Sequence, residues 1–216
     1  MVLNENQLKM YDQCMFLTES FIKTEKDIWW NKKKWFKNEI NVCFVLGFSG
    51  SGKSSLTRQL SKNNENIDFV EMDNLIENVK YSDEELKERN PYVYEFLTGP
   101  GQKYRGITFD STIHVKNSVR DCVSFCIRKQ QSTHRKLILE GIQLFSFFEP
   151  VELEKYVVCI KGTSYLTSSY RAARREFLEK RVLRSLGTVT LNTSGAVFFN
   201  THLAKFIRYY KNRKRK

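Results

Sequence analysis

The sequence predicts an α/β fold built on a parallel sheet, and three observations carry the prediction. Four short, mainly apolar runs, 42–46, 67–72, 137–140 and 156–160, lack the clean alternation of a half-exposed strand and read as covered strands. Segments with helical spacing separate them, so strands alternate with helices. A glycine-rich turn joins the first run to a helix start. The 216 residues are 41% apolar, with 16 Phe and 10 Tyr, enough for one sizeable core. They divide into a helical N-terminal arm over 1–40, an α/β domain over 41–195, and a basic C-terminal helix and tail over 196–216.

In the arm, Leu8, Tyr11, Met15, Thr18 and Ile22 recur at helical steps, as do Cys14, Leu17 and Phe21. Trp29, Trp30, Trp35 and Phe36 surround Lys32, Lys33 and Lys34. The aromatics are expected to dock on the domain with the lysines in water; contact with a membrane surface or nucleic acid is the alternative.

The loop strand, 42–46, runs into Gly47 to Ser54, which reads G-F-S-G-S-G-K-S. This is the Walker A spacing, G-x-x-x-x-G-K-[ST]. Gly47 turns the chain off the strand. Gly50 and Gly52 lack Cβ, so the backbone can adopt positive φ and approach a polyphosphate closely. Gly47, Phe48, Ser49, Gly50, Ser51, Gly52, Lys53, Ser54 and Ser55 would then line an anion cradle at the positive end of the next helix. Lys53 would reach the outer phosphates of ATP or another nucleoside triphosphate, and the Ser54 hydroxyl would hold Mg2+. A flexible glycine-rich turn is the plainer alternative.

The helix after the loop is expected to reach about residue 60–62, and 63–66 is a polar turn. Strand 67–72 ends at Asp73. Residues 74–97 read as mainly helical, with a Ser82-x-x-Glu85 capping box and a break at Pro91 that makes two helices. Residues 98–101 form a turn, and 102–110 cross the surface with Lys103 and Arg105. Ser111 or Thr112 caps a helix to about Gln131, with Ile113, Val119, Cys122, Val123 and Cys126 on its apolar face. Strand 137–140 ends in Glu140-Gly141. Strand 156–160 precedes an arginine-rich helix from Ser164 to about Leu186, a polar loop or hairpin over 187–194, and a last helix over 196–212.

A triphosphate site needs an acidic group near its metal. Glu140, closing an apolar strand beside the loop strand, supplies one; capping the next turn is its other reading. Asp73 lies at the carboxyl edge of the sheet, where open α/β folds bind ligands, and could take the proton of an attacking hydroxyl; capping the helix that follows is compatible with that role. Arg171, Arg174 and Arg175 share one helix face and could clamp a transferring phosphoryl group, or form a solvated face with Glu176 and Glu179. Lys103 and Arg105 could bind an anionic part of an acceptor, or be solvated loop charges.

Taken in order, G-F-S-G-S-G-K-S, Asp73, L-I-L-E-G and R-x-x-R-R resemble P-loop small-molecule kinases, the uridine-kinase-like and zeta-toxin-like groups above all, over about residues 41–180. The resemblance implies a P-loop three-layer sandwich with five parallel strands in the order 2-3-1-4-5, counted from 42–46, and an arginine-bearing lid. It implies Asp73 as the substrate-side carboxylate, Glu140 as the Walker B acid and Arg171, Arg174 and Arg175 as the lid. The expected activity is ATP- and Mg2+-dependent phosphoryl transfer to a hydroxyl of a small nucleoside- or sugar-nucleotide-like acceptor. The alternative is a nucleotide-dependent switch or nucleic-acid-binding ATPase that uses the basic tail, with a polynucleotide kinase between the two.

The net charge is +12, and Lys205 to Lys216 carry seven of the basic residues and no acid. That tail reads as a solvated helix end or as a contact for nucleic acid, with Phe206, Tyr209 and Tyr210 available for stacking. The five cysteines (14, 43, 122, 126, 159) have no C-x-x-C spacing and read as reduced core thiols, which points to a reducing compartment. No apolar run reaches the ~20 residues of a membrane span, and the N-terminus lacks a secretory pattern, so a cytoplasmic location is expected.

Overall fold

The computed structural model describes residues 27–47, 50–62, 66–100, 105–106 and 112–162, together with 171, 205–206, 208–209 and 212–213. The chain forms two compact units. The larger takes Trp29–Leu46 and Ser54–Cys159; the other draws its described residues from Met1–Ile28, Gly47–Lys53 and Ile160–Lys216.

The architecture is α/β, on a mixed, mostly parallel sheet of five strands. In chain order the strands are β1 (Ile28–Trp30), β2 (Val42–Leu46), β3 (Ile67–Glu71), β4 (Lys136–Glu140) and β5 (Val157–Ile160). The helices are α1 (Lys32–Phe36), α2 (Lys53–Ser61), α3 (Asp73–Ile76), α4 (Asp83–Arg89), α5 (Pro91–Thr98), α6 (Thr112–Thr133), α7 (Ile142–Phe147) and α8 (Pro150–Leu153), with a 3-10 turn at Asn78–Lys80. Across the sheet the order is β1-β5-β2-β4-β3, and β4 pairs in parallel with both β2 and β3.

This order differs from the expected 2-3-1-4-5. The edge beside β5 is taken by β1, from ahead of the loop strand, instead of by a later strand. Ile28-Trp29-Trp30 combines a β-branched residue with two aromatics, which suits a pleated surface. Trp30 Nε1 donates to the Glu154 carbonyl, and Asn31 Nδ2 donates to those of Glu154 and Tyr156, each at 2.9 Å. These bonds hold the end of β1 against the turn that enters β5.

All five residues of β2 are buried, and successive side chains point to opposite faces, so both faces of the sheet are covered there. On one face Cys43 and Val45 cluster with Ile138, Val157, Cys159 and Trp35, and Leu56 and Leu60 of α2 pack against them. On the other, the Phe44 ring lies 5.1 Å from Tyr156 and 6.0 Å from Phe148. The arm aromatics divide: Trp35 is buried, Trp29 packs on the core cluster, and Phe36 is 61% exposed. Lys32, Lys33 and Lys34 are exposed, and the Lys32 ammonium sits 5.1 Å from the centre of the Trp29 ring.

Local chemistry sets the helix boundaries. Ser82 and Glu85 form the expected capping box at α4. Pro91 opens α5, where Asn90 caps by accepting from the Val93 N–H at 3.3 Å and its own amide donates to the Glu71 carbonyl at 3.0 Å. On α6, Val119, Cys122, Val123 and Cys126 are buried as the spacing predicts, whereas Ile113 is 69% exposed in the first turn. The helix stops at His134, which takes a left-handed φ of 56°. Helices α7 and α8 occupy a stretch to which the sequence pattern assigned no element. Arg120 of α6 reaches across to this stretch, pairing with Glu152, donating to the Phe147 carbonyl and lying 4.8 Å from the Phe148 ring centre.

Cys43, Cys122, Cys126 and Cys159 are buried free thiols, and burial pushes the Cys43 and Cys122 thiols up, away from reactivity. Cys14 lies outside the described residues. Among the described residues no helix is long and apolar enough to cross a membrane.

Candidate functional site

In the smaller unit, the glycine-rich segment leaves β2 at Gly47 and enters α2 at Lys53. Gly50 and Gly52 take φ of 78° and 90°, the left-handed backbone that glycine permits. A Cβ on Gly47 would lie 2.6 Å from Ser51 Oγ and 3.2 Å from both Lys161 Cβ and Lys53 Cγ, so no side chain fits there without displacement. Ser51 is 1% exposed, and its hydroxyl has no hydrogen-bond partner among the described residues. A tight glycine cradle with an orphaned buried hydroxyl and a buried lysine, Lys53, suits an anionic ligand. Phe48 and Ser49 lie outside the described residues. Ser55 is exposed on α2.

In the larger unit, α2 lies over the face of the sheet that carries Glu140. The register sets Val45 beside Glu140 and Cys43 beside Ile138, so Glu140 projects to the same face as the cluster under Leu56 and Leu60. Ser54 Oγ donates to Glu140 Oε1 at 2.8 Å, and Thr57 Oγ1 donates to Oε2 at 3.2 Å. Ser54 and Thr57 are three residues apart on the helix, so both hydroxyls face the carboxylate. Glu140 is only 3% exposed, and hydrogen bonds to both oxygens offset the cost of burying it. Thr57 escaped the sequence reading; the available signal was a hydroxyl one turn beyond Ser54. A hydroxyl and a carboxylate, both hard oxygen donors, suit Mg2+, and Ser54 and Glu140 would be its protein ligands. Among the described residues no group of three or more His, Cys, Asp or Glu gathers as a metal site.

Asp73 opens α3, two residues past the end of β3, and is exposed. The cap position belongs to Met72, with no side-chain cap bond, so Asp73 does not act as the N-cap. Its Oδ1 accepts from Gln143 Nε2 at 2.6 Å, while Gln143 Oε1 is buried with no partner among the described residues. Gln143 also escaped the sequence reading. Gly141 makes the approach possible: a Cβ there would lie 2.7 Å from Gln143 Oε1 and 2.9 Å from Met72 Cβ. The Met72 N–H donates to the Glu140 carbonyl at 2.8 Å, holding the ends of β3 and β4 together. Nearby, burial pushes the Tyr81 hydroxyl above its ordinary value; Arg89, 5.1 Å from the ring centre, works against that, and Glu77, Glu71 and Asp73 reinforce it.

Arg105 has a structural role. Its guanidinium pairs with Asp83 at 2.7 Å and donates to the Asn78 and Tyr81 carbonyls, and the Gly106 N–H donates to Asn78 Oδ1 at 2.9 Å. Those bonds tie residues 105–106 to the segment between α3 and α4, which leaves Arg105 little to offer an acceptor. Lys103, Arg174 and Arg175 lie outside the described residues. Arg171 is helical and exposed. In the tail, Lys205, Phe206, Arg208, Tyr209 and Arg213 are among the described helical residues; Phe206 is buried, and Tyr210 lies outside them.

No protein-family model matches the chain, and no curated protein matches it significantly.

Proposed function

We propose that the chain is a P-loop kinase, transferring the γ-phosphoryl group of ATP to a hydroxyl of a small nucleoside- or sugar-nucleotide-like acceptor with the help of Mg2+. The observation that carries the reading is the 2.8 Å bond from Ser54 to Glu140, which joins the last residue of the loop pattern to the strand-end carboxylate. The α/β sheet, with the loop leaving β2, Asp73 just past β3 and Glu140 closing β4, supports the same reading.

Each residue then has a defined task. Loop amides and Lys53 bind and orient the phosphates. Ser54 and Glu140 would hold a Mg2+ ion, which would supply charge neutralisation for the phosphates. Asp73, kept in one orientation by Gln143, takes the acceptor hydroxyl proton as the new O–P bond forms and the bond to the β-phosphate oxygen breaks. Arg171, Arg174 and Arg175 would steady the charge on the moving group.

The test is a screen of candidate hydroxyl acceptors with γ-labelled ATP, with Lys53→Ala as control. The reading expects labelled acceptor with the native protein and none with the control. Asp73→Asn should keep nucleotide binding and lose about 10²–10⁴-fold in transfer. Label recovered only as free phosphate would overturn the kinase and favour a nucleotide-dependent switch.

A further inference from the structure

We propose that Lys161 is a second phosphate-binding cation of the glycine loop, and that Asp27 competes with the bound phosphates for it. The inference rests on the nucleotide-binding reading of the loop. All of its residues belong to the smaller unit.

Lys161 follows the last residue of β5, and its side chain runs along the loop. Its Cβ is 3.2 Å from where a Cβ on Gly47 would stand, and its Cε is 3.7 Å from the matching point on Gly52. The ammonium is one bond further on, within reach of an anion that the Gly52 and Lys53 amides would hold. Ser51 marks the same place: its orphaned hydroxyl lies 2.6 Å from the Gly47 position. Two independent features therefore meet at one stretch of loop backbone, a cation and an unpartnered buried hydroxyl.

The Lys161 ammonium is shared with Asp27, whose two carboxylate oxygens each lie 3.0 Å away, and Asp27 Oδ1 also accepts from the Gly162 N–H at 3.1 Å. Both side chains are partly buried. A carboxylate beside a phosphate cradle would repel the ligand if its charge stood alone; Lys161 neutralises it. An ammonium has three donors and a flexible stem, so it can turn toward a phosphate oxygen while Asp27 keeps its bond to Gly162. A polyphosphate bears several negative charges against one on Asp27, so the exchange favours the ligand. Asp27 lowers the affinity and Lys161 raises it, and the pair sets the balance.

The test measures dissociation constants for ATP, ADP and inorganic tripolyphosphate with the full chain and its Lys161→Met, Lys161→Arg, Asp27→Asn and Lys53→Ala variants, with a melting curve for each. Lys161→Met is expected to weaken all three ligands about tenfold, Lys161→Arg to restore most of the loss, and Asp27→Asn to tighten binding several-fold. An effect common to ATP and tripolyphosphate assigns the contact to phosphate and not to the base. Opposite shifts from the two partners are what a purely structural clasp cannot give. If Lys161→Met binds as the native chain does, or if Lys161→Met and Asp27→Asn weaken binding alike, the proposal is wrong. If the native chain binds none of the ligands, or Lys53→Ala binds them unchanged, the nucleotide reading fails and this proposal with it.

Discussion

Replacing Glu140 with Gln tests whether its carboxylate serves the metal or only the fold. The amide has the same shape. Ser54 and Thr57 hydroxyls can rotate to meet one oxygen and one NH2 group, so both contacts persist. Each loses its charge-assisted part, from roughly 1.5–3 to about 0.5–1.5 kcal/mol. A group 3% exposed also sheds the cost of burying a charge, which offsets that loss. The ligand-free protein should therefore change by about 1 kcal/mol, or roughly 2–4 °C for a chain of this size. A nucleotide at a hundred times its dissociation constant stabilises by about 2.7 kcal/mol, a rise of roughly 5–11 °C. Melting curves with ATP in EDTA and with ATP plus Mg2+ separate the metal's share. Glu140→Gln should keep the rise in EDTA and lose most of the extra rise that Mg2+ gives the native protein. Thr57→Val, which removes the bond to Oε2, should keep that increment. An unchanged Mg2+ increment in Glu140→Gln would refute the assignment of Glu140 to the metal.

Three further outcomes are expected. Gly47→Ala puts a methyl group 2.6 Å from Ser51 Oγ and should weaken nucleotide binding at least tenfold, as read by titration calorimetry, while the melting temperature falls only modestly. Asn90→Ala removes the α5 cap and the bond to the Glu71 carbonyl, and urea unfolding should show a loss of about 2 kcal/mol. Burial works to raise the Glu152 carboxyl, but bonds from Arg120 and the Glu149 N–H, with the charges of Arg120 and Lys116, hold it below the usual carboxylate range. Its stabilisation is then present above the unfolded carboxyl value near ~4.3 and lost as pH falls through the lower folded value. Unfolding followed from pH 6 to pH 2 should give a flatter acid limb in Arg120→Met than in the native chain.

What the sequence made legible follows from how local each signal is. β2, β5 and the middle of β4 were readable because a strand covered on both faces is apolar there, and the capping box at Ser82 because its two bonds span three residues. β1 was not, because three residues carry no periodicity and its place depends on carbonyls more than 120 positions away. Helices α7 and α8 are short and partly aromatic, and their packing on Arg120 is a tertiary fact. At the site, Ser54 and Glu140 were named from a motif and a strand end. Thr57 and Gln143 were missed because their partners, Glu140 and Asp73, lie 83 and 70 positions away. Arg105 was open to two readings, ligand binding or solvated charge; the structure adds three partners between Asn78 and Asp83, where a loop and a 3-10 turn present carbonyls that no local signal announces.

The register of β4 is what turns a strand-end glutamate into a partner for α2. Leu137, Ile138 and Leu139 are all fully buried, so their hydrophobicity alone does not distinguish one register from the next. A slip of one residue would bring Leu139 to the position of Glu140 and swing the carboxylate to the Phe44 face, away from Ser54 and Thr57. The polar ends decide. Lys136 and Glu140 are four residues apart and so share one face. Lys136 Nζ donates to the Trp35 carbonyl at 2.8 Å and lies 4.6 Å from the centre of its ring, while Glu140 takes the two hydroxyls of α2. Burial pushes the Lys136 ammonium below its ordinary value, a cost the strand bears at the end far from the chemistry. Both charged ends would lose their partners in a slipped register, and for the buried Glu140 an unpaired charge costs several kcal/mol. The same residues that make β4 expensive to bury therefore make its register unique, and that register sets Glu140 beneath α2.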